Sequence, residues 1–580
     1  MSLNQDWFTH IKKVYKLFPL KKTYLIFLFF LIIIVSIFEL FGISLLIPLV
    51  TSLLDGENNL TTFNKIPIIS DYDIFNGNTV SISILMISIF SIKVILSLLC
   101  ESLIFFLSFK SRALLRANML KIYLNTNFID LAKTNSSELI NSIQSYTGQH
   151  RGTVLSLLKL FNEVLFLFFA FLFVILIYGL VSIIVIFVVL LFILIFDKFT
   201  KRYVYQIGSK VNKINSKVIK ILSECFYGIK EVKIYKISEY YFNTLKEISL
   251  YQSKIETIYE ILGKLPRIFF EYIIIVLFIL TGIFLYKQEI ILENILPDIT
   301  LIFFLILRLI PMSTTIANNI KSIRHNMNGV NKLFNKYDTY FIKKQFSENN
   351  NNLIDQTFQS IELKNVKFQY PTKKDFIFEN INLKVNKGDF VGITGESGAG
   401  KTTLVDLILG ILKPMSGEIL YNNNKISLEE YSSSSFAAYL PQNNFIIDDT
   451  IEKNIALDHY KNRINYQRLN TVLKKANLIS LVDSLPNKSK TILGEHGRFL
   501  SGGQRQRVAI ARALYFNKNL IILDESTNAM DKNLEKSIIN ELVKLKDDLA
   551  VIIITHNTEN LIYCNKVFNI EKKQLIENRK

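Results

Sequence analysis

The run Gly395-Glu396-Ser397-Gly398-Ala399-Gly400-Lys401-Thr402 decides how the second half of this 580-residue chain folds. It fits the pattern G-x-x-x-x-G-K-[ST] at every fixed position. The strand-like Asp389-Phe390-Val391-Gly392-Ile393-Thr394 precedes it, and the helix-like Thr403-Leu404-Val405-Asp406-Leu407-Ile408-Leu409 follows. Strand, glycine-rich loop and helix in that order make a cradle, because the glycines let backbone N–H groups curl around phosphate oxygens. Lys401 reaches the terminal phosphates and the Thr402 hydroxyl is placed for Mg²⁺. The expected ligand is a nucleotide, with Mg²⁺ as its companion ion, and Thr403 opens the helix beneath it.

Outward from this loop the composition divides the chain. Half of the residues are hydrophobic, the mean hydropathy is +0.29, and the apolar excess lies in the first half. Six segments there are long enough to cross a bilayer: 24–50, 80–109, 153–178, 180–199, 268–286 and 299–322. The third and fourth are nearly fused, with Tyr178-Gly179 as the turn. The formal net charge is +18. Lys12, Lys13, Lys16, Lys21 and Lys22 precede the first span, and Lys110, Arg112, Arg116, Lys121, Lys133 and Arg151 follow the second. Asp55, Glu57, Asp71, Asp73, Glu289 and Glu293 mark the opposite loops. The positive-inside rule then puts both termini on the cytoplasmic side. A cytoplasmic membrane face accounts for the basic balance, so no nucleic-acid partner is expected. Cys100, Cys225 and Cys564 fall in no metal or redox spacing. The basic N-terminal stretch leads into an apolar run too long for a cleavable signal.

Several ionisable residues lie in or at the edge of the spans: Glu39, Lys93, Glu101, Glu163, Arg267, Glu271 and Arg308. Charges at membrane depth face a cavity or a partner. Arg308 is flanked by long apolar runs, and a buried guanidinium suits a phosphate or carboxylate. The alternative is pairing within the bundle, for example Lys93 or Arg308 with one of the glutamates. The long loops after the second and fourth spans read as helices continuing into the cytoplasm. A polar, patternless stretch at 341–357 separates a membrane domain, 1–340, from a soluble one, 358–580.

In the soluble half further features follow a fixed order. Tyr370 is an aromatic upstream of the loop that could stack on adenine. Gln442, in Tyr439-Leu440-Pro441-Gln442, offers an amide oxygen for Mg²⁺ or the attacking water. Leu500-Ser501-Gly502-Gly503-Gln504 opens a helix whose N-terminus favours an anion. Leu520-Ile521-Ile522-Leu523-Asp524-Glu525 is a buried strand ending in two carboxylates, Asp524 for Mg²⁺ and Glu525 to polarise water. Asn528-Ala529-Met530-Asp531 comes next, and His556 ends another buried strand. Each part meets a separate need of phosphoryl transfer to water: cradle, metal, positioned nucleophile and charge sensing.

This ordered set resembles the nucleotide-binding domain of ABC transporters over about residues 358–580. The run 500–504 matches that family's signature unchanged. The resemblance implies that Tyr370 stacks on adenine and that Lys401 and Thr402 are the Walker A pair. It makes Gln442 the Q-loop, Asp524 the Walker B metal residue, Glu525 the catalytic base and His556 the switch histidine. Gly494-Glu495-His496-Gly497 looks like the exporter X-loop, and Asn528–Asp531 departs from the commoner Ser-Ala-Leu-Asp while retaining Asp531. The membrane half also looks like an ABC exporter. Asn127-Phe128-Ile129-Asp130-Leu131 and Gly228-Ile229-Lys230-Glu231-Val232-Lys233 resemble its two coupling regions.

One membrane half and one ATPase half make a half-transporter. The family joins one subunit's Walker A to the other's signature, so a homodimer with two competent sites is implied. A narrower resemblance joins Lys93, Leu265-Pro266-Arg267-Ile268 and Arg308-Leu309-Ile310-Pro311 to bacterial lipid-linked oligosaccharide flippases. It implies an anionic pyrophosphate lipid as cargo, bound by Lys93, Arg267 and Arg308. That family carries a short external helix, where 55–78 here has only a weak amphipathic pattern. The expectation is a multi-domain protein of the bacterial cytoplasmic membrane: an all-α six-helix transmembrane domain, then an α/β P-loop ABC ATPase. Export of a peptide, or of another lipid or amphipathic molecule, is the nearest alternative, and a non-pumping ABC sensor the alternative of another class.

Overall fold

The computed structural model describes residues 7–46, 49–50, 79–126, 128–178, 183–287, 296–345, 358–371, 375–425, 437–442, 444–457, 464–524, 532–545, 549–555 and 558–578. Contacts divide the chain into two compact units, Met1–Thr126 with Asp130–Lys343, and Asn127–Ile129 with Lys344–Lys580.

The first unit is helical. It begins with α1 (Trp7–Lys16), α2 (Lys22–Ser44), α3 (Thr79–Leu124), α4 (Phe128–Ala132, in this unit from Asp130 onward) and α5 (Ser136–Asn141). A π-helical turn, Ser142–Tyr146, joins α5 to α6 (Thr147–Tyr178). Then come α7 (Ile183–Tyr227), α8 (Ile229–Ile234), α9 (Ser238–Lys287) and α10 (Leu296–Gln345). Long apolar runs can satisfy their backbone in lipid only as helices, which is why these stretches are unbroken. Among the described residues, Lys22–Ser44, Val80–Leu124 and Ser136–Leu172 are long and apolar enough to cross a membrane. The spans expected at 180–199, 268–286 and 299–322 fall in α7, α9 and α10, the first from Ile183 onward.

α9 and α10 have 50 residues each, about 75 Å at a rise of ~1.5 Å per residue. A hydrocarbon core is only about 30 Å thick. The helices therefore project well beyond the membrane, as the long loop after the fourth span had suggested for α9. The short α4 and α8 lie where the two coupling regions were expected. α10 runs to Gln345, into the stretch read as a linker, since no proline or glycine stops it there. The outer loop at 55–78 lies outside the described residues.

Packing inside this unit changes character along the helices. Leu28, Ile32 and Val35 of α2 meet Cys100, Ile104 and Leu107 of α3 in a dry seam. Towards the basic ends, Val14 and Leu17 pack with Leu115, Met119, Tyr123, Tyr146, Val154, Val330 and Leu333. Beside this cluster runs a chain of amides. Asn141 donates to the Ser216 hydroxyl at 2.7 Å, Gln149 to Asn212, and Asn212 to Asn328 at 3.2 Å. Asn141 and Asn212 are fully buried, so these bonds prevent the loss that orphaned polar groups would cause. Arg324 forks onto Asp197 through Nε at 3.3 Å and Nη2 at 3.0 Å, and its guanidinium lies 4.5 Å from the Trp7 ring centroid.

The second unit runs β1 (Ser360–Phe368), β2 (Phe378–Asn386), β3 (Phe390–Gly395), α11 (Lys401–Ile408), β4 (Ser416–Tyr421), β5 (Asn424–Lys425) and β6 (Ala437–Leu440). A helical insertion follows: α12 (Ile451–Ala456), α13 (Tyr466–Lys475), α14 (Ile479–Ser484) and α15 (Gly502–Tyr515). The chain closes with β7 (Leu520–Asp524), α16 (Lys532–Lys544), β8 (Ala550–Ile554), α17 (Thr558–Leu561), β9 (Lys566–Glu571) and β10 (Gln574–Glu577). The sheet order is β5-β4-β1-β2-β10-β9-β3-β8-β7-β6. β9, β3, β8, β7 and β6 pair in parallel, while β1, β2, β4 and β5 pair antiparallel. β8 is buried throughout and β7 is buried up to Leu523, as parallel strands covered on both faces must be.

Gly208 of α7 marks a close helix crossing, because a Cβ there would run into the His325 carbonyl of α10. Gly208→Ala is expected to destabilise the helical unit by about 1–3 kcal/mol, the usual effect of overpacking. A thermal-unfolding series on detergent-purified protein checks this, and an unchanged melting temperature would contradict the crossing.

Candidate nucleotide site and membrane-depth charges

Strand register assembles the site. Ile393 of β3 pairs with Ile554 of β8, and Ile554 pairs with Asp524 of β7. Leu523 pairs with Leu440 of β6, two residues before the exposed Gln442. The loop 395–402, Asp524 and Gln442 therefore leave the sheet from one edge. That edge is the carboxyl end of the parallel strands, where open α/β sheets bind ligands.

The loop owes its shape to glycine. Gly400 caps α11 at φ 105°, and a Cβ there would sit 2.8 Å from Ile377 and 2.9 Å from the Phe378 ring. Backbone strain and steric overlap both exclude a side chain. Lys401 Nζ donates to the Gly395 carbonyl at 2.9 Å, which folds the ammonium back across the loop. Thr402 is exposed and Thr403 buried. Tyr370 shares a hydrogen bond with Thr403 Oγ1 at 3.2 Å and stands edge-on to Phe368 with centroids 5.0 Å apart. The upstream aromatic is thus tied to the helix that follows the loop.

Asp524 has a partner that sequence reasoning passed over. The Tyr439 hydroxyl donates to Asp524 Oδ2 at 2.9 Å. Burial, followed by the charge of Asp524, pushes the phenol pKa well above its ordinary value, so Tyr439 remains a donor. Asp406 of α11 was missed too. Burial first, and the charge of Asp524 second, raise its carboxyl to about 6. The only signal for either was position, Tyr439 three residues before Gln442 and Asp406 in the helix after the loop. A hydroxyl at Thr402 and a carboxylate at Asp524 are hard oxygen donors, which suits Mg²⁺ held jointly with nucleotide phosphates.

At the signature, Ser501 and Gln504 form a capping box. Ser501 Oγ accepts from the Gln504 N–H at 3.3 Å and Gln504 Oε1 accepts from the Ser501 N–H at 2.8 Å. This reciprocal capping fixes the start of α15, and Ser501 is exposed there. The expected base Glu525, the switch histidine His556 and the segment Asn528–Asp531 lie outside the described residues.

The basic residues expected to serve a cargo are distributed differently. Lys93 pairs with the buried Glu39 at 3.3 Å. Arg267, which is exposed, pairs at 2.7 Å with the half-buried Glu271, one turn along the same helix. The side chain of Arg308 lies outside the described residues. Lys93 and Arg267 are not brought together; each closes on a carboxylate.

Comparison with known proteins accords with this geometry. Residues 25–254 match the ABC transporter transmembrane region and residues 378–528 match the ABC transporter family. The chain belongs to the ABC transporters. It carries a membrane domain and an ATP-binding domain in one polypeptide, the arrangement of an exporter half-transporter. It is similar to an ATP-dependent lipid A-core flippase of Pectobacterium atrosepticum, 35% identical over 229 residues, 39% of this chain and 38% of the relative. A protein of the same description from Wigglesworthia glossinidia brevipalpis is 27% identical over 395 residues, 64% of this chain and 65% of the relative. The chain thus matches well under half of the first relative's length and just under two thirds of the second's. A bacterial Atm1-family ABC exporter solved with ATP bound aligns at a TM-score of 0.79 and 17% identity, covering 96% of this chain and 95% of that one. At that identity the likeness establishes the fold.

Two outcomes follow from the loop and its surroundings. Gly400→Val should weaken ATP binding by at least about tenfold, since strain of ~1–2 kcal/mol per misplaced residue adds to the overlap; equilibrium binding of a fluorescent ATP analogue measures it, and unchanged affinity would contradict the loop geometry. Asp406 takes up a proton on folding between about pH 4 and 6, because its pKa is raised from an unfolded value near ~3.9. Stability contributed by this group therefore falls as pH rises through that window and is flat above it. Asp406→Asn should raise the melting temperature of nucleotide-free, chelator-treated protein at pH 7.5, with the gain fading towards pH 4.5. An equal gain at both pH values would place the cause elsewhere.

Proposed function

We propose that the protein is an ATP-driven exporter or flippase that works as a homodimer in the bacterial cytoplasmic membrane, with both termini on the cytoplasmic side. The observation that carries this reading is the single sheet edge joining the loop 395–402, Asp524 and Gln442 in a chain whose other half is long apolar helices. In this reading Tyr370 stacks on adenine. The backbone from Gly395 to Gly400, including Glu396, Ser397, Gly398 and Ala399, cradles the phosphates with Lys401 and Thr403. Thr402, Gln442 and Asp524 hold Mg²⁺, which when bound neutralises charge on the phosphates. Tyr439 keeps the Asp524 carboxylate oriented. Glu525 polarises the attacking water and His556 senses the terminal phosphate. Ser501, Gly502, Gly503 and Gln504 close the site from the second subunit. Nucleotide binding then draws the two ATP-binding domains together, and hydrolysis resets them.

The proposed cargo is an anionic lipid-linked oligosaccharide, with Lys93, Arg267 and Arg308 serving its pyrophosphate. Relatives named for flipping a lipid support a lipid cargo, and a guanidinium matches phosphate oxygens. The Lys93–Glu39 and Arg267–Glu271 pairs favour a second reading, in which these residues hold the bundle together. Arg308→Gln separates the two. The cargo reading expects a folded, ATPase-competent protein that no longer flips a pyrophosphate lipid in proteoliposomes. Unchanged flipping, or loss of folding, supports the structural reading.

Glu525→Gln should retain ATP binding and lose on the order of 10²–10⁴ in turnover, the usual cost of removing a positioned acid–base group. Near-normal steady-state ATPase activity would mean that the base is another residue. The shared site makes a further demand: mixing Lys401→Ala and Ser501→Arg chains should restore activity that neither variant has alone. Proven mixed dimers without recovery would contradict a homodimeric site.

A further inference from the structure

Three arginines gather where the apolar parts of α3 and α6 end. Arg112 and Arg116 lie three and seven residues beyond Phe109 on α3, a spacing that keeps all three on one helix face. Arg151 comes from α6, its guanidinium carbon 4.1 Å from the centroid of the Phe109 ring. Arg112 reaches across the same seam. Its Nη2 donates to the Gln144 carbonyl at 3.3 Å. It also lies so close to α6 that a Cβ on Gly148 would stand 3.3 Å from Nη2. The charges of Arg116 and Arg151 both bear on Arg112. Gln144 belongs to the π-helical turn Ser142–Tyr146, and such turns concentrate at functional sites.

Among the described residues, no acid is placed against this cluster of three. Elsewhere in the bundle Lys93, Lys159, Arg267 and Arg324 each close on a carboxylate. Among the described residues, no carboxylate closes on Arg112, Arg116 or Arg151. The Nε–H of each is enclosed in protein with no acceptor, so each guanidinium is wedged by one edge. Scattered cytoplasmic arginines would point apart into water. Three like charges held together in a half-buried seam call for a counter-anion. Planar forks match phosphate oxygens in particular. The level also fits: Arg112 is three residues, about 4.5 Å along the axis, past the end of the apolar run, and Arg151 two residues before the next one begins. Headgroup phosphates lie at that boundary.

We propose that Arg112, Arg116 and Arg151 form a binding site for a phosphate group at the cytoplasmic membrane boundary of α3 and α6. It uses none of the residues assigned to ATP or to the cargo, and does not depend on what the cargo is. The phosphate can come from a phospholipid headgroup of the inner leaflet or from free phosphate, and the test distinguishes them.

Full-length protein is purified in detergent, titrated with phosphatidic acid or phosphatidylcholine, and its bound lipids are counted by native mass spectrometry. Wild type should retain phosphatidic acid at least tenfold more tightly than phosphatidylcholine. Arg112→Gln/Arg151→Gln should lose most of that preference, and Arg112→Lys/Arg151→Lys should keep part of it. Lys21→Gln/Lys22→Gln, which removes the same charge nearby, should keep it all. Competition by millimolar inorganic phosphate would assign the site to phosphate from either source, and its failure to compete would assign it to lipid alone. Three results overturn the proposal: no preference in wild type, an undiminished preference in a folded glutamine variant, or an equal loss in the Lys21/Lys22 control. Should the glutamine variant not fold, the lysine pair decides: full wild-type preference there leaves no role for the forks and overturns the site.

Discussion

The parallel pairing of β3, β8, β7 and β6 is the constraint on which the ATP-binding half depends. Ile393, Ile554 and Asp524 stand level across three strands. A slip of one residue would turn every side chain of a strand to the opposite face. Hydrophobic burial prevents that slip: both faces of β8 and most of β7 are covered. The chemistry at the strand ends is therefore held in place by residues that take no part in it. The Tyr439–Asp524 bond depends on the same register, because it joins neighbouring strands whose residues lie 85 positions apart.

The helical half manages charge by a different rule. Where side chains cannot reach water, an isolated charge is expensive, and removing one member of a buried pair leaves the other stranded. Lys93 with Glu39 and Arg324 with Asp197 obey this. The amide chain through Asn141, Gln149, Asn212 and Asn328 applies it to neutral groups. In the arginine seam between α3 and α6, no carboxylate among the described residues closes on the three guanidinium groups.

What the sequence made legible is what short-range pattern encodes. The phosphate loop, the buried strands and the long apolar helices follow from spacing within a few turns or residues, whereas the segments now seen as α4 and α8 were marked only by their resemblance to the coupling regions of ABC exporters. The reach of α10 to Gln345 was hidden because polarity reads as a linker, although polarity alone does not end a helix. Contacts between distant segments were illegible for another reason. Arg324 and Asp197 are 127 positions apart, and neither has a local feature that names the other. The same holds for Asp406 of α11, whose raised pKa comes from burial and from the carboxylate at the end of β7. Lys93 and Arg267 showed a related limit. Their depth in apolar runs was readable, but whether each meets a ligand or a glutamate depends on helix packing.

The chain contains a single tryptophan. Trp7 lies under the Arg324 guanidinium, and Arg324 in turn grips Asp197. One indole, at the start of α1, thus senses the junction of α7 with α10. Its emission is a built-in optical gauge of that junction. Any rearrangement that parts α7 from α10 would move the cation off the ring and change the colour and intensity of the light, with no label attached and no second fluorophore of its kind to confuse the signal.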